Sequence, residues 1–88
     1  MWGQTTSEFL EIYIPIIYNI EKSNNKYLTP EKIINYISYK KAKEVIETQI
    51  YTNKNNFVKE YFESNKAVLE NENIFGYITM NIHNSIAA

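Results

Sequence analysis

The densest run of apolar residues lies near the start of the chain, from Phe9 to Ile20, and only Glu11, Pro15 and Asn19 interrupt it. In a helix, apolar residues three or four positions apart share one side, and this run also places apolar residues on both flanks of that side. The shared side consists of Phe9, Tyr13, Ile16, Ile17 and Ile20. Such a wide apolar surface needs cover from more than one neighbour, so we expect the core helix here. It is too short to cross a bilayer, and we expect no membrane span.

The polar residues of this segment predict where its helix begins and bends. Thr5 and Glu8 have the spacing of a capping box, in which each side chain pairs with the backbone amide of the other residue. Pro15 removes one helical hydrogen bond and clashes with the carbonyl four residues earlier, so a helix that passes through it is bent. The sequence therefore predicts a kinked helix over residues 6–22 that opens at Thr5.

The clearest helix-start signal in the chain is Thr29, Pro30 and Glu31, which supply a hydroxyl cap, a proline at the first helical position and a carboxylate near the positive helix end. The apolar positions that follow are Ile33, Ile34, Ile37, Ala42, Val45, Ile46 and Ile50. After the third isoleucine the stripe resumes one position late, which marks a break near residues 38–40. Two interpretations stay open: one irregular helix over residues 30–51, or a short helix, a tight turn and a second helix.

The second half of the chain predicts one further helix and an ambiguous end. Apolar residues at helical spacing indicate a helix over about residues 56–70. Residues 71–88 fit either a helix, which we favour, or a β-hairpin that turns at Asn71-Glu72-Asn73. We therefore expect residues 1–88 to form a single helical domain of the all-α class, a small three- or four-helix bundle in which the C-terminal segment is helix or β-hairpin.

Composition narrows the class of protein. The 88 residues are 44% hydrophobic and 22% charged, as in ordinary globular domains, and they contain no cysteine for a disulfide or a thiolate metal site. All cations are lysine and all anions are glutamate, and the net charge of -1 gives no general attraction to nucleic acid. The heavy use of isoleucine, asparagine, lysine and tyrosine is typical of an AT-rich genome. No secretory signal is visible at the N-terminus, so we expect a cytoplasmic protein.

The residues available for catalysis are few. His83 is the single histidine. The absence of cysteine excludes cysteine nucleophiles, and because Gly3 and Gly76 are the only glycines, a glycine-rich phosphate loop is excluded too. Several glutamates each follow a lysine by four positions, which is the spacing of ordinary surface ion pairs. We therefore predict no catalytic residue, no metal site, no cofactor and no small-molecule substrate, and we do not expect an enzyme.

One basic cluster falls where the apolar stripe breaks. In a helix-turn-helix protein the second helix presents its N-terminal residues to the major groove, so this cluster is a candidate for DNA contact. Its candidate residues are Ser38, Tyr39, Lys40, Lys41 and Lys43. The cluster has no arginine for bidentate contact with guanine, and acidic segments surround it, so a solvated lysine face is the competing interpretation.

The aromatic residues suggest a different function. Six tyrosines lie on or beside apolar stripes and are expected in the core with the hydroxyl at its rim: Tyr13, Tyr18, Tyr36, Tyr51, Tyr61 and Tyr77. Trp2, Tyr27 and Tyr39 fit no stripe, and amphipathic aromatic residues left outside a core are common anchors at protein interfaces. We predict a non-enzymatic protein-interaction module with a protein partner or a homo-oligomeric state. The alternative is a winged-helix-like, helix-turn-helix DNA-binding protein.

Overall fold

A computed structural model describes residues 4–87 of the chain and the side chains of residues 4–85. Within this range every regular element is a helix, and no strand is present. In chain order the helices are α1 (Gln4–Ser23), α2 (Pro30–Tyr36), α3 (Tyr39–Thr52), α4 (Asn56–Ser64), α5 (Lys66–Leu69) and α6 (Glu72–Ala87). The predicted all-α class is confirmed, and the β-hairpin alternative for the C-terminal segment is not observed.

Helix α1 runs without interruption through Pro15, which lies on its exposed side. The prediction of one helix across the apolar run is therefore confirmed. The predicted capping box is wrong, because the helix already includes Gln4 and Thr5 is an interior residue. Glu8 instead accepts a hydrogen bond from Nε2 of Gln4, at 2.9 Å.

The predicted break after residue 37 is a two-residue connection between α2 and α3. Thr29 caps α2 as expected, and its hydroxyl accepts the backbone N–H of Lys32 at 3.2 Å. At the other end Ile37 is fully buried and Ser38 adopts an extended backbone, with φ of -61° and ψ of 144°. This change of direction absorbs the one-residue slip in the stripe, so the apolar residues of both helices reach the same core. The structure thus has a short helix, a tight turn and a second helix.

Two asparagines divide the second half of the chain. Asn65 separates α4 from α5, and its side-chain amide donates to the carbonyl of Tyr61 at 2.8 Å. Asn71 caps α6, because its Oδ1 accepts the backbone N–H groups of Asn73 and Ile74 at 3.0 and 3.1 Å. The three or four predicted helices correspond to four longer segments, two of which are broken, and residues 4–87 therefore contain six helices.

The core forms around α1 and α6. The ring of Phe9 stacks on Tyr13 with centroids 4.7 Å apart and meets Phe75 of α6 edge-on at 5.6 Å. Helix α6 also packs against α2, α3 and α5, so it contacts four other helices. The buried apolar side chains are Phe9, Tyr13, Ile16, Ile17, Tyr36, Ile37, Ala42, Val45, Ile46, Phe62, Leu69, Phe75, Ile78 and Ile82.

A polar network joins α1 to α2 at the edge of this core. The hydroxyl of Tyr13 donates to the carbonyl of Tyr36 at 2.6 Å, and the hydroxyl of Tyr36 donates to Oε2 of Glu21 at 3.0 Å. Lys32 pairs with Oε1 of the same carboxylate at 2.9 Å. The hydrogen bond from Lys32 lowers the pKa of the Glu21 carboxyl from its ordinary value of 4.5, and the one from Tyr36 lowers it further against the opposing effect of burial. The folded protein therefore favours the ionised carboxylate.

This network predicts an acid-dependent loss of stability. Because the pKa of Glu21 is lower in the folded than in the unfolded chain, its contribution is present above about pH 4.5 and is lost as the pH falls through the folded-state pKa. We expect Glu21→Gln to lower the free energy of unfolding at pH 7 and the difference from wild type to shrink below pH 4.5, as measured by urea denaturation. Glu47→Gln, at an exposed position on α3, is the control. A difference that does not change with pH would contradict this assignment.

Candidate protein-interaction surface

Helix α6 carries an apolar surface that no other helix within residues 4–87 covers. Its inward side buries Phe75 and Ile78, whereas Ile74, Tyr77 and Met80 lie on its outward side with 41%, 67% and 51% of their surface exposed. These three residues are three positions apart, so they form a continuous row along the helix. Together with the exposed Gly76, we call them the α6 face.

The chemistry of the α6 face differs from that of an ordinary helix surface. After Glu72, the described part of α6 contains no lysine or glutamate. The exposed side of α3 is ordinary by comparison, since it carries Lys43 and Glu47 among other charged residues. Protein surfaces are commonly about one-quarter to one-third charged, whereas interface centres are depleted of lysine and glutamate and enriched in tyrosine and methionine. The α6 face has the composition of an interface.

Gly76 is a second unusual feature of this face. It lies inside the helix and is exposed, it has no positive φ, and a Cβ added there would meet nothing within 4 Å. A glycine inside a helix costs about 1 kcal/mol relative to alanine. Nothing inside the described structure requires glycine at this position. The missing side chain leaves the helix backbone open to close approach from outside.

The orientation of α6 follows from contacts on its inward side. The hydroxyl of Thr79 lies 3.0 Å from the carbonyl oxygen of Phe75 in its own helix and 3.1 Å from that of Ile37 at the end of α2. Two positions later, about half a turn further along the helix, Nδ2 of Asn81 lies 3.5 Å from the hydroxyl of Thr6 in α1. The two contacts therefore lie on either flank of the buried row and hold α6 against α2 and α1, which leaves Tyr77 outward.

The structure describes two of the three predicted interface residues, Tyr27 and Tyr39, and places them in different environments. Trp2 lies outside the described residues. Tyr27 lies in the segment between α1 and α2 and is 86% exposed. Tyr39 is half-buried: its ring packs edge-on against Phe75 and its hydroxyl donates to the carbonyl of Glu70. Tyr27 and Tyr39 therefore differ in exposure, and neither belongs to the α6 face.

Of the tyrosines expected in the core, Tyr13 and Tyr36 are buried, but Tyr18, Tyr51 and Tyr77 are largely exposed. Helix α6 contains more apolar residues than one helix side can bury. The structure uses the part that includes Ile78 and leaves the rest outside. The sequence signal for an exposed apolar surface was the absence of charged residues along this segment, because it leaves α6 without a side suited to water.

The predicted DNA-contact residues lie at the start of α3, in different environments. Lys40 and Lys43 are exposed, and the hydroxyl of Ser38 donates to the carbonyl of Asn35 at 3.0 Å. The Nζ of Lys41 lies 5.6 Å from the centre of the Tyr36 ring and partly covers it. Tyr39, as described above, uses its hydroxyl within the fold.

Neither the described residues nor comparisons with known proteins point to another site. Within residues 4–87, no group of three or more histidine or glutamate side chains is placed to hold a metal ion. None of the helices in the described part of the chain is long and apolar enough to cross a membrane. Comparisons with protein-family models, with curated proteins and with solved structures gave no match to this chain.

We expect Gly76→Ala to stabilise the isolated protein. The added methyl group meets no atom, and alanine favours the helix by about 1 kcal/mol over glycine. For a domain of this size, a gain of that order raises the melting temperature by roughly 4–8 °C. Thermal unfolding followed by circular dichroism measures this shift. An unchanged or lower melting temperature would show that the fold itself requires glycine here.

Proposed function

We propose that this chain is a non-enzymatic, cytoplasmic protein-interaction module, such as a small regulator, inhibitor or assembly subunit, and that the α6 face is its docking surface. The observation that supports the proposal is the uncharged outward row of Ile74, Tyr77 and Met80. The partner that fits is a protein with an apolar helix or strand that lies along α6 and approaches its backbone most closely at Gly76.

The energetics favour an apolar partner. Removing a large apolar side chain from water contributes about 1.5–3 kcal/mol, and both Tyr77 and Met80 have half or more of their surface available for this. No charged side chain on the face has to be desolvated when it is covered. A charged partner surface would lose hydration without gaining an opposite charge, so the face discriminates against such partners.

We expect the α6 face to capture its partner in the native host. A photo-crosslinking analogue in place of Tyr77 should attach to one specific protein, whereas the same analogue in place of Tyr51, an exposed tyrosine on α3, should not. With the purified partner, the double substitution Tyr77→Ala and Met80→Ala should weaken binding at least tenfold, since exposed interface anchors of this kind dominate affinity. Calorimetry measures the affinity, and circular dichroism checks the fold.

The matched control is Tyr51→Ala, which removes an even more exposed aromatic side chain, at 83% against 67% for Tyr77, from another helix. Equal affinity of the double variant and wild type would rule out the α6 face as the docking surface. Gly76→Ala then separates binding from folding, because it should weaken partner binding although it favours the helix.

A second candidate function is DNA binding through α2 and α3. The observation that favours it is the two-residue connection between these helices, which places Lys40 and Lys43 in exposed positions at the start of the second one. Glu44 and Glu47 are also exposed on α3 and would repel phosphates, and for this reason protein interaction is our first proposal.

On this second candidate, duplex DNA should bind with an affinity that falls steeply with salt, because phosphate contacts release counterions. The double substitution Lys40→Glu and Lys43→Glu should abolish that binding, whereas Tyr77→Ala and Met80→Ala should leave it unchanged. Fluorescence anisotropy over a salt series measures both effects. Binding that is absent in wild type, or retained in the lysine variant, would remove this site from consideration.

A further inference from the structure

The outer side of α1 changes the sign of its charge halfway along the helix. Glu8, Pro15 and Lys22 are seven positions apart, which is nearly two helical turns, so they lie along one line of the helix surface. All three are exposed. Glu11 adds a second carboxylate to the first half. The helix thus presents an acidic half, a proline at its centre and a basic half.

The acidic half borders an apolar groove between α1 and α4. Glu8, Glu11, Ile12, Phe57 and Tyr61 line this groove, which has a volume of about 370 Å³. Phe57 is 68% exposed at the start of α4, so its ring is available to another surface. Burial, with a smaller effect of the Glu8 carboxylate, raises the pKa of Tyr61 to about 12.

The basic half borders an aromatic cleft of about 310 Å³. Its lining residues are Tyr18, Lys22, Asn25, Lys26 and Tyr27. Asn25 has a φ of 58°, the left-handed conformation that commonly ends a helix, and it turns the chain so that the following lysine and tyrosine border the end of α1. The cleft therefore combines two amines with two exposed aromatic rings.

These charges have no ionic partner in the described part of the protein. The only ion pair there joins Lys32 to Glu21, and it involves neither Glu8 nor Glu11 nor Lys22. Glu8 accepts a hydrogen bond from the neutral amide of Gln4. The acidic and basic halves are thus both available to a surface of opposite charge.

We propose that a second copy of this chain docks antiparallel on α1, about a two-fold axis near Pro15. Residues at equal distances on either side of position 15 then face each other across the axis. Glu8 faces the partner subunit's Lys22, and Ile12 faces the partner subunit's Tyr18. Each contact occurs twice, because a two-fold interface is self-complementary.

The proposed contacts match in chemistry at each step. Glu8 and Lys22 each lie seven residues from Pro15, roughly 10.5 Å along the helix at 1.5 Å per residue. Between the charges, the aliphatic side chain of Ile12 meets the ring of the partner subunit's Tyr18. Farther out, the groove that contains Phe57 lies opposite the aromatic cleft. A parallel pairing would instead place carboxylate on carboxylate and amine on amine. The charge pattern therefore selects the antiparallel orientation.

This pairing uses α1 and α4, whereas the docking surface proposed above lies on α6, so each proposal can fail without the other. In the test, Glu8→Lys and Lys22→Glu are made separately and together, and sedimentation equilibrium measures the dimer dissociation constant. Each single substitution should weaken the dimer about tenfold or more, because it creates two like-charge contacts. The double variant should restore the dimer, since both pairs are exchanged but remain complementary.

Mixing the two single variants provides the sharpest arm of the experiment. Each pure variant should be mainly monomeric, but the mixture should form a heterodimer in which every contact is again of opposite charge. Glu47→Lys and Lys43→Glu on α3 are the matched controls, since they change the net charge equally at exposed positions outside the charged line of α1. They should leave the dissociation constant unchanged. A wild-type protein that stays monomeric at millimolar concentration, or a dimer that tolerates both single substitutions, would overturn the proposal.

Discussion

The break between α2 and α3 leaves backbone carbonyls without helical partners, and the surrounding helices are arranged so that side chains supply the missing hydrogen bonds. The carbonyl of Tyr36 accepts the hydroxyl of Tyr13 from α1, and that of Ile37 lies within hydrogen-bond distance of the Thr79 hydroxyl from α6. A buried carbonyl left unpaired costs roughly 1–3 kcal/mol. Satisfying both carbonyls therefore constrains the positions of α1 and α6 around the turn.

The same constraint gives α6 its outward side. Because Thr79 must reach the end of α2, Phe75 and Ile78 turn into the core and Tyr77 turns to the surface. A helix with almost no charged residues then exposes an uncharged row that no other helix within residues 4–87 covers. The proposed docking surface is thus a consequence of how the turn is satisfied.

Helix α1 combines a core function with a surface function. Its inner side buries Phe9 and Tyr13, and Glu21 near its C-terminus anchors α2 through Lys32. Its outer side carries charges of opposite sign in its two halves, which the fold does not pair. A small domain has limited core in which to bury apolar surface, and the association proposed for the outer sides of α1 and α6 would add stability that one chain supplies poorly.

The sequence by itself determined the class of the fold and most of its elements. Periodicity located the helices, Thr29 and Pro30 marked the start of α2, and the one-residue slip marked the turn, because each of these signals acts through local backbone geometry. The capping box predicted at Thr5 was wrong for a local reason as well. Helix α1 already includes Gln4, and the side-chain amide of Gln4 donates a hydrogen bond to the carboxylate of Glu8.

Only the tertiary structure decided which apolar residues are buried. Helix α6 has enough apolar residues to bury either Tyr77 or its neighbours. The choice depends on a contact with the end of α2 that no local pattern encodes. In the same way, the burial of Tyr39 and the exposure of Tyr18 depend on which helices arrive beside them. A candidate surface is what remains after the core is filled. For this reason the aromatic content of the sequence led only to the hypothesis of an interaction protein, whereas packing between distant segments determined which apolar residues remain exposed.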